Sequence, residues 1–129
     1  MSRFIKQAIE DEPITVYGDG KQTRSFCYIT DTVTGLMLLT TSKKAKGQVV
    51  NIGDTLEVTI LELAKKIKET THCKSAIEFH PLPKDDPKRR CPNLDKLDEI
   101  TSWKPSVNFD EGLSKTIAWF LSARQLLRL

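Results

Sequence analysis

A short β-branched run followed by two glycines constrains the fold of this chain more than any other feature. Residues 14–17 read Ile-Thr-Val-Tyr, a composition typical of a strand. Gly18-Asp19-Gly20 predicts a turn that needs a positive φ angle at one of its residues. The strand end and the turn present backbone N–H groups beside the guanidinium of Arg24. This suits a ligand that is planar at one end and anionic at the other.

The rest of the chain alternates helical and strand patterns, which predicts an α/β fold, or an α+β fold for an isolated piece. The segment Thr59-Ile60-Leu61-Glu62 has the form of a capping box and predicts the start of a helix. Further helices are predicted over 2–10, from a cap at Thr30 or Asp31 to 39, over 94–100 and from 109 to 121, and strands over 14–17, 25–29, 49–53 and 77–80.

The apolar residues indicate which parts of these elements form the core. The strand over 49–53 is mostly apolar and is expected to be buried. Trp103 and Trp119 are expected to anchor the core rather than to stack on a ligand. The last helix is expected to turn four apolar side chains inward: Leu113, Ile117, Phe120 and Leu121.

Composition excludes several classes of function. The chain has 129 residues, enough for one domain or a piece of a larger one. Its net charge of +3 is too balanced for nucleic-acid binding, and no apolar run approaches the roughly 18 residues of a membrane span. The three widely spaced cysteines argue against a disulfide framework or a zinc knuckle and favour a reducing cytoplasm. His72 and His80 lack partners at metal-ligand spacing, so we assign no metal site.

Two segments could bind an anionic ligand, and each also has a purely structural interpretation. Residues 16–24 could line a base and grip a phosphate through Arg24, or could form an ordinary hairpin with a solvated arginine. Residues 84–90 carry four cations and two carboxylates. The flanking prolines could stiffen this run into an anion clamp, or the run could be a solvated charged face.

Together these segments resemble the UDP-glucuronate decarboxylases, which belong to the NAD-dependent epimerase/dehydratase family of extended short-chain dehydrogenases. The resemblance covers about residues 2–121. It is carried, in order along the chain, by EPITVYGDGKQTRSFCY over 12–28, NIG over 51–53 leading to TILELA over 59–64, and PKDDPKRR over 83–90, followed by WKP over 103–105 and EGL over 111–113.

The resemblance implies roles for five residues. Val16, Tyr17 and Gly18 match the segment that lines the uridine, and Arg24 matches an arginine on the diphosphate. Arg90 matches a second arginine that reaches the ligand from the far side. The chain departs from the family pattern after this residue, because it has Cys91 where a basic residue is common and Asn93 where the family usually has aspartate. The orientation of Arg90 is therefore less firmly implied than that of Arg24.

The resemblance also implies that residues 1–129 are the C-terminal substrate-binding region of a longer enzyme. In the family, the glycine-rich turn that holds NAD and the Tyr-x3-Lys catalytic pair lie upstream of this region. We therefore expect a chain that binds a UDP-sugar but neither binds NAD nor acts alone, and we assign no catalytic or cofactor-binding residue. Whether the chain itself is an enzyme stays open.

Alternatives remain within and outside this family. The chain could be part of a related 4,6-dehydratase or 4-epimerase, or a non-catalytic module that binds a nucleotide-sugar or a protein. The helix over 31–39 and the strand over 49–52 should normally pack against the nucleotide-binding domain. Without that domain they are expected to expose an apolar patch of several hundred Å². Such a patch predicts self-association or binding of a complementing N-terminal nucleotide-binding half.

Overall fold

The computed structural model describes residues 1–126, which form a mixed α/β fold of five α-helices, one 3-10 helix and five short strands. In chain order these elements are α1 Ser2–Ile9, β1 Ile14–Tyr17, β2 Thr23–Ser25, α2 Ile29–Thr41, the 3-10 helix Lys43–Ala45, β3 Glu57–Thr59, α3 Ile60–Thr71, β4 Ile77–His80, β5 Arg89–Arg90, α4 Asp95–Thr101 and α5 Phe109–Leu126.

The strands form two small sheets. In the first, β1 pairs with β4 in parallel, and Tyr17 lies opposite His80. In the second, β2 is the central strand, antiparallel to β3 and parallel to β5. This second register makes Arg24 the Cα partner of both Val58 and Arg90.

One hydrophobic core joins α1, β1, α3 and α5. Its fully buried side chains include Ile5, Ile14, Leu63 and Ile67, one or two from each of the first three elements. The side chains that α5 contributes are Leu113 and Ile117, each 3% exposed. The helices therefore pack around β1 and fix the strand end that carries Tyr17.

The capping box at the start of α3 and the glycine turn after β1 form as the sequence predicts. The capping box is complete, because the Thr59 hydroxyl accepts from the Glu62 amide at 3.1 Å and the Glu62 carboxylate accepts from the Thr59 amide at 2.9 Å. Gly18 and Gly20 have φ angles of 65° and 70°. A Cβ on Gly20 would lie 2.9 Å from Leu61 Cβ, so packing as well as turn geometry requires glycine there.

Two of the predicted strands are wrong. The segment 49–53 forms no strand, and Val49 is 88% exposed because nothing within the described residues packs over it. The strand expected over 25–29 lies instead at 23–25, where it pairs with β3 and β5. The aromatic residues after it lead directly into α2, which begins at Ile29.

Three expectations about single side chains are also wrong. Trp119 and Leu121 are 63% and 45% exposed because they lie on the face of α5 away from the core, whereas Trp103 is buried as predicted. Asp31 does not cap α2, whose N-cap is Tyr28 with no side-chain cap bond. The Asp31 carboxylate is buried and accepts bonds from Ser106 and Val107 instead.

Candidate nucleotide-sugar site

A polar cavity of about 250 Å³ lies where the start of α1, the end of β1 and strand β2 meet. Phe4 and Leu63 give it an apolar floor. Its polar and aromatic lining consists of Arg3, Tyr17, Gln22, Arg24 and Asp86. Two guanidinium groups and one carboxylate thus border a small cavity with an aromatic ring, which suits an anion attached to a planar group.

Arg24 is held firmly on β2. Its Nη1 donates to the Thr23 carbonyl at 2.7 Å, and its Nη2 forms an ion pair with Asp86 Oδ1 at 3.0 Å. The Arg24 side chain is only 16% exposed. Its position is therefore fixed by β2 on one side and by the segment around Asp86 on the other.

Tyr17 is fixed from three directions at the end of β1. Gln22 Nε2 donates to the Tyr17 carbonyl at 2.8 Å and so ties the strand end to the turn. The Arg3 guanidinium lies 4.8 Å from the Tyr17 ring centroid while it donates to the Thr15 carbonyl at 3.1 Å. The His80 ring meets the Tyr17 ring edge-on at 6.1 Å. The aromatic wall of the cavity is therefore rigid.

Arg90 is beside Arg24 but does not line the cavity. The parallel register of β2 and β5 makes the two residues Cα partners, so their side chains leave the sheet on the same face. Arg90 is exposed, and residues 1–126 supply it with no ion pair. It is thus a cation next to Arg24 that is available to a ligand extending out of the cavity.

Arg89 has a structural role on the opposite face. It binds Glu57 of β3, with distances of 2.8 Å from Nε and 2.7 Å from Nη2 to the same carboxylate oxygen. Hydrogen bonds from Arg89, and then from Thr23, hold the pKa of Glu57 below its usual value. The two adjacent arginines of β5 are therefore distinguished by their partners: Arg89 ties the sheet together and Arg90 is left for other contacts.

The structure brings together some of the residues that the sequence singled out. Tyr17 and Arg24 line one cavity. The Val16 side chain is buried in the core, so this residue can offer a ligand only its backbone. Gly18 packs against Leu82, whose Cδ1 would lie 3.1 Å from a Cβ at Gly18.

Sequence reasoning did not assign to the site three polar residues of the cavity lining: Arg3, Gln22 and Asp86. Gln22 and Asp86 belong to the segments that carry the family resemblance, and this membership was the signal that could have identified them. Arg3 gave no such signal, because a single arginine in the first turn of a helix reads as a surface charge. Its contact with Tyr17 arises only when α1 packs beside β1.

A larger cavity of about 490 Å³ lies elsewhere, between the 26–29 segment and α5. Its walls are mainly apolar and include Phe26, Tyr28, Phe109 and Trp119. Burial is the main reason why the pKa of Cys27, which borders this cavity, is raised. Lys115 is the one charged side chain among the described residues of its lining, so this cavity lacks the converging cations of the polar cavity.

Residues 1–126 hold no group of three or more histidine, cysteine or acidic side chains arranged for a metal ion. In the same part of the chain, no helix combines the length and the apolar content needed to cross a bilayer.

Comparison with known proteins gives consistent results. Residues 1–116 match the family described as GDP-mannose 4,6 dehydratase. Among curated proteins, UDP-glucuronic acid decarboxylase 1 of Danio rerio is 45% identical over 120 residues. Among solved structures, the epimerase Mth375 of Methanothermobacter thermautotrophicus superimposes with a TM-score of 0.91 at 31% identity. A variant of the UDP-glucuronic acid 4-epimerase of Bacillus cereus, in complex with UDP-4-deoxy-4-fluoro-glucuronic acid and NAD, superimposes with a TM-score of 0.85 at 30% identity.

These matches cover nearly the whole of this chain but a minor part of each relative. The Danio rerio protein matches 93% of this chain, which corresponds to 28% of its own length. The two epimerase structures match 97% and 94% of this chain and 38% and 39% of their own. The chain thus spans between about a quarter and two fifths of the proteins it is similar to.

Proposed function

Because the chain belongs to the GDP-mannose 4,6 dehydratase family, we propose that it is the nucleotide-sugar-binding portion of a UDP-glucuronate decarboxylase-like enzyme. The observation that supports this most is the placement of Arg24 and Tyr17 in one cavity, with Arg90 as the strand partner of Arg24. A diphosphate needs closely spaced cations, and a pyrimidine base needs a flat wall with backbone groups at its edge.

In this proposal the backbone at 16–18 and the Tyr17 ring contact the uridine, and Arg24 and Arg90 bind the diphosphate. Arg3, 4.8 Å from the Tyr17 ring, adds a third positive charge to the same cavity. We assign no catalytic residue to this chain.

We propose that residues 1–126 do not hold NAD. The dinucleotide pyrophosphate normally rests on a helix N-terminus reached from a strand through a glycine-rich turn. Within residues 1–126, α2 and α3 follow strands without an intervening glycine. We therefore propose that NAD, which the family uses for redox chemistry at the sugar, is held by a part of the enzyme other than residues 1–126.

The exposed face of α2 is proposed to contact that other part. Four apolar side chains at helical spacing on this face are between 45% and 64% exposed: Ile29, Val33, Leu36 and Met37. A face of this kind on one helix favours a protein partner, either a complementing nucleotide-binding half or a second copy of the chain. The three unpaired cysteines add a reducing, cytoplasmic setting to the proposal.

A related 4-epimerase is the second candidate function, because both superimposed structures are epimerases. A 4,6-dehydratase and a non-catalytic binding module are tested by the same experiment.

The 129-residue chain is titrated by NMR with UDP, UDP-glucuronate and dTDP. We expect a preference for the uridine nucleotides, with a Kd of about 0.1–1 mM because only part of an enzyme pocket is present.

The Arg24→Ala variant tests the assigned site. It should lose most of the affinity for UDP, since it removes the cavity-lining cation that the proposal assigns to the diphosphate. Lys84→Ala is the control, because it removes one exposed positive charge from the neighbouring segment. Equal titrations for the two variants would refute the role of Arg24, and an absence of shifts near Arg24 with any nucleotide would favour the protein-binding module.

A further inference from the structure

The carboxylate of Asp86 lies on the guanidinium that the proposed function assigns to the diphosphate. Asp86 Oδ1 is 3.0 Å from Arg24 Nη2, and both residues line the polar cavity. The pair is partly shielded from water, with side-chain exposures of 16% for Arg24 and 32% for Asp86. Such a pair is a stronger contact than the exposed ion pairs of the surface.

We propose that Asp86 is a resident competitor of the diphosphate: the carboxylate leaves Arg24 when a diphosphate binds, and the segment 83–86 moves with it. This inference rests on the proposed function, since it concerns the same arginine. It adds that the ligand-free site is closed by a carboxylate of the chain itself.

Charge repulsion at Arg24 favours exchange over sharing. Two of the five N–H groups of its guanidinium are in use, one of Nη1 on the Thr23 carbonyl at 2.7 Å and one of Nη2 on Asp86. The Thr23 contact is made within β2, so Asp86 is the partner that can leave. A bidentate grip on phosphate needs two parallel N–H groups, and a phosphate placed beside Asp86 would meet a like charge.

The segment that carries Asp86 is built to move as a short unit. The turn is closed by the Asp86 amide, which donates to the Pro83 carbonyl at 3.4 Å, and Asp85 has a φ angle of 72°. Outside the turn the chain is anchored on both sides. Leu82 packs on Gly18, and the Lys88 carbonyl accepts from the Thr23 amide at 2.9 Å. Loss of the Asp86 contact therefore frees the turn without releasing β5.

The remaining charges keep the open site attractive to an anion. Arg3 lines the cavity and has no carboxylate partner among residues 1–126. Once Asp86 withdraws, Arg3, Arg24 and Arg90 face a diphosphate with no opposing carboxylate in the cavity lining.

The test compares Asp86→Asn with Asp85→Asn in the full 129-residue chain. Both variants remove one negative charge from the same turn, but Asp85 is exposed and makes no ion pair within the described residues. Asparagine tolerates the positive φ angle at position 85. The probes are UDP and inorganic pyrophosphate, titrated by NMR, with far-UV circular dichroism and thermal melting to confirm folding. Asp86→Ser serves as a second variant if the asparagine variant melts early.

Relative to Asp85→Asn, Asp86→Asn should bind UDP and pyrophosphate about five- to tenfold more tightly, because the competing carboxylate is gone. Binding that equals or falls below that of Asp85→Asn would overturn the proposal and would show that Asp86 supports Arg24 instead. If Asp86→Asn binds pyrophosphate more tightly but shows no preference for UDP, Asp86 still competes with a diphosphate, and the proposed uridine site is refuted. Failure of every variant to bind either probe would overturn both.

A second readout does not depend on affinity. Amide resonances of residues 84 and 85 in the wild-type chain should shift when UDP saturates the site. The shift should have the same direction as the one that Asp86→Asn causes at these two residues in the free chain. Resonances that stay in place while those near Arg24 move would show that Asp86 remains bound, contrary to the proposal.

Discussion

Replacement of Asp31 tests the most deeply buried charge of the fold. The carboxylate is 6% exposed and accepts three hydrogen bonds, from the Ser106 amide at 3.0 Å, the Ser106 hydroxyl at 2.9 Å and the Val107 amide at 2.9 Å. These bonds join the start of α2 to the segment before α5, 75 residues away in sequence. Asp31 thus links the start of α2 to the segment before α5 through three hydrogen bonds.

The cost of losing this link can be estimated from its bonds. Asp31→Ala removes the acceptor and leaves two backbone amides without a partner, each at about 1–3 kcal/mol, so the free energy of unfolding should fall by about 3–5 kcal/mol. Asp31→Asn retains a carbonyl acceptor but turns an N–H₂ group toward the same donors, and should cost about 1.5–3 kcal/mol. Domains of this size are stabilised by only about 5–15 kcal/mol, so both effects are measurable.

Urea denaturation followed by circular dichroism measures these losses. If the slope of the unfolding free energy against urea concentration is unchanged, only stability has changed. Glu99→Gln is the control, since it makes the same acid-to-amide change on an exposed side chain and should alter the free energy by no more than about 0.5 kcal/mol. An Asp31→Ala variant within 1 kcal/mol of this control would refute the assigned role.

The same residue gives a pH dependence with a definite sign. Burial, the largest single influence, raises the pKa of Asp31, but the bonds from Val107 and Ser106 together outweigh it and the net pKa is lowered. Its stabilisation is therefore fully present above the unfolded pKa of about 3.9 and is lost as the pH falls through the lower folded value. The stability difference between wild type and Asp31→Asn should shrink as the pH falls below about 4. A difference that stays constant down to pH 2 would contradict this linkage.

Two further predictions concern the cavity and the exposed helix. Arg3→Gln should weaken UDP binding about three- to tenfold, because it removes a cavity cation and the support of the Tyr17 ring, whereas Lys6→Gln on the same helix should leave the NMR titration unchanged. Met37 is 64% exposed on the apolar face of α2, and Met37→Glu places a charge there. This variant should lower self-association in sedimentation velocity more than Thr34→Glu does. Equal sedimentation of the two variants would show that this face of α2 does not mediate self-association.

The features that sequence predicted well are those set by neighbouring residues. The capping box needs only Thr59 and Glu62, and the positive φ angles of the turn after β1 need only Gly18 and Gly20. The missed features depend on residues far apart in sequence. The short apolar run at 49–53 reads as a buried strand in isolation, but its burial depends on what packs over it.

The site shows the same division. Arg24 and the charged run that holds Arg90 were candidates from the residues alone, but only the family resemblance predicted that the two arginines act together. Sequence spacing could not predict this, since 66 residues separate them and the β2–β5 register that pairs them is non-local. The Arg24–Asp86 ion pair and the Arg3–Tyr17 contact required the fold itself. Charged residues on a turn or a first helical turn usually face solvent, so sequence alone favoured that interpretation.

The spacing between Tyr17 and Arg24 is set by the start of α3. The first amides of a helix lack intrahelical partners. Here the Ile60 amide donates to the Gln22 carbonyl and the Leu61 amide donates to the Gly20 carbonyl, each at 3.0 Å. The turn that separates Tyr17 from Arg24 is therefore bound to the N-terminus of α3. The N-terminus of α3, which the capping box begins, thus holds the turn between Tyr17 and Arg24 in place.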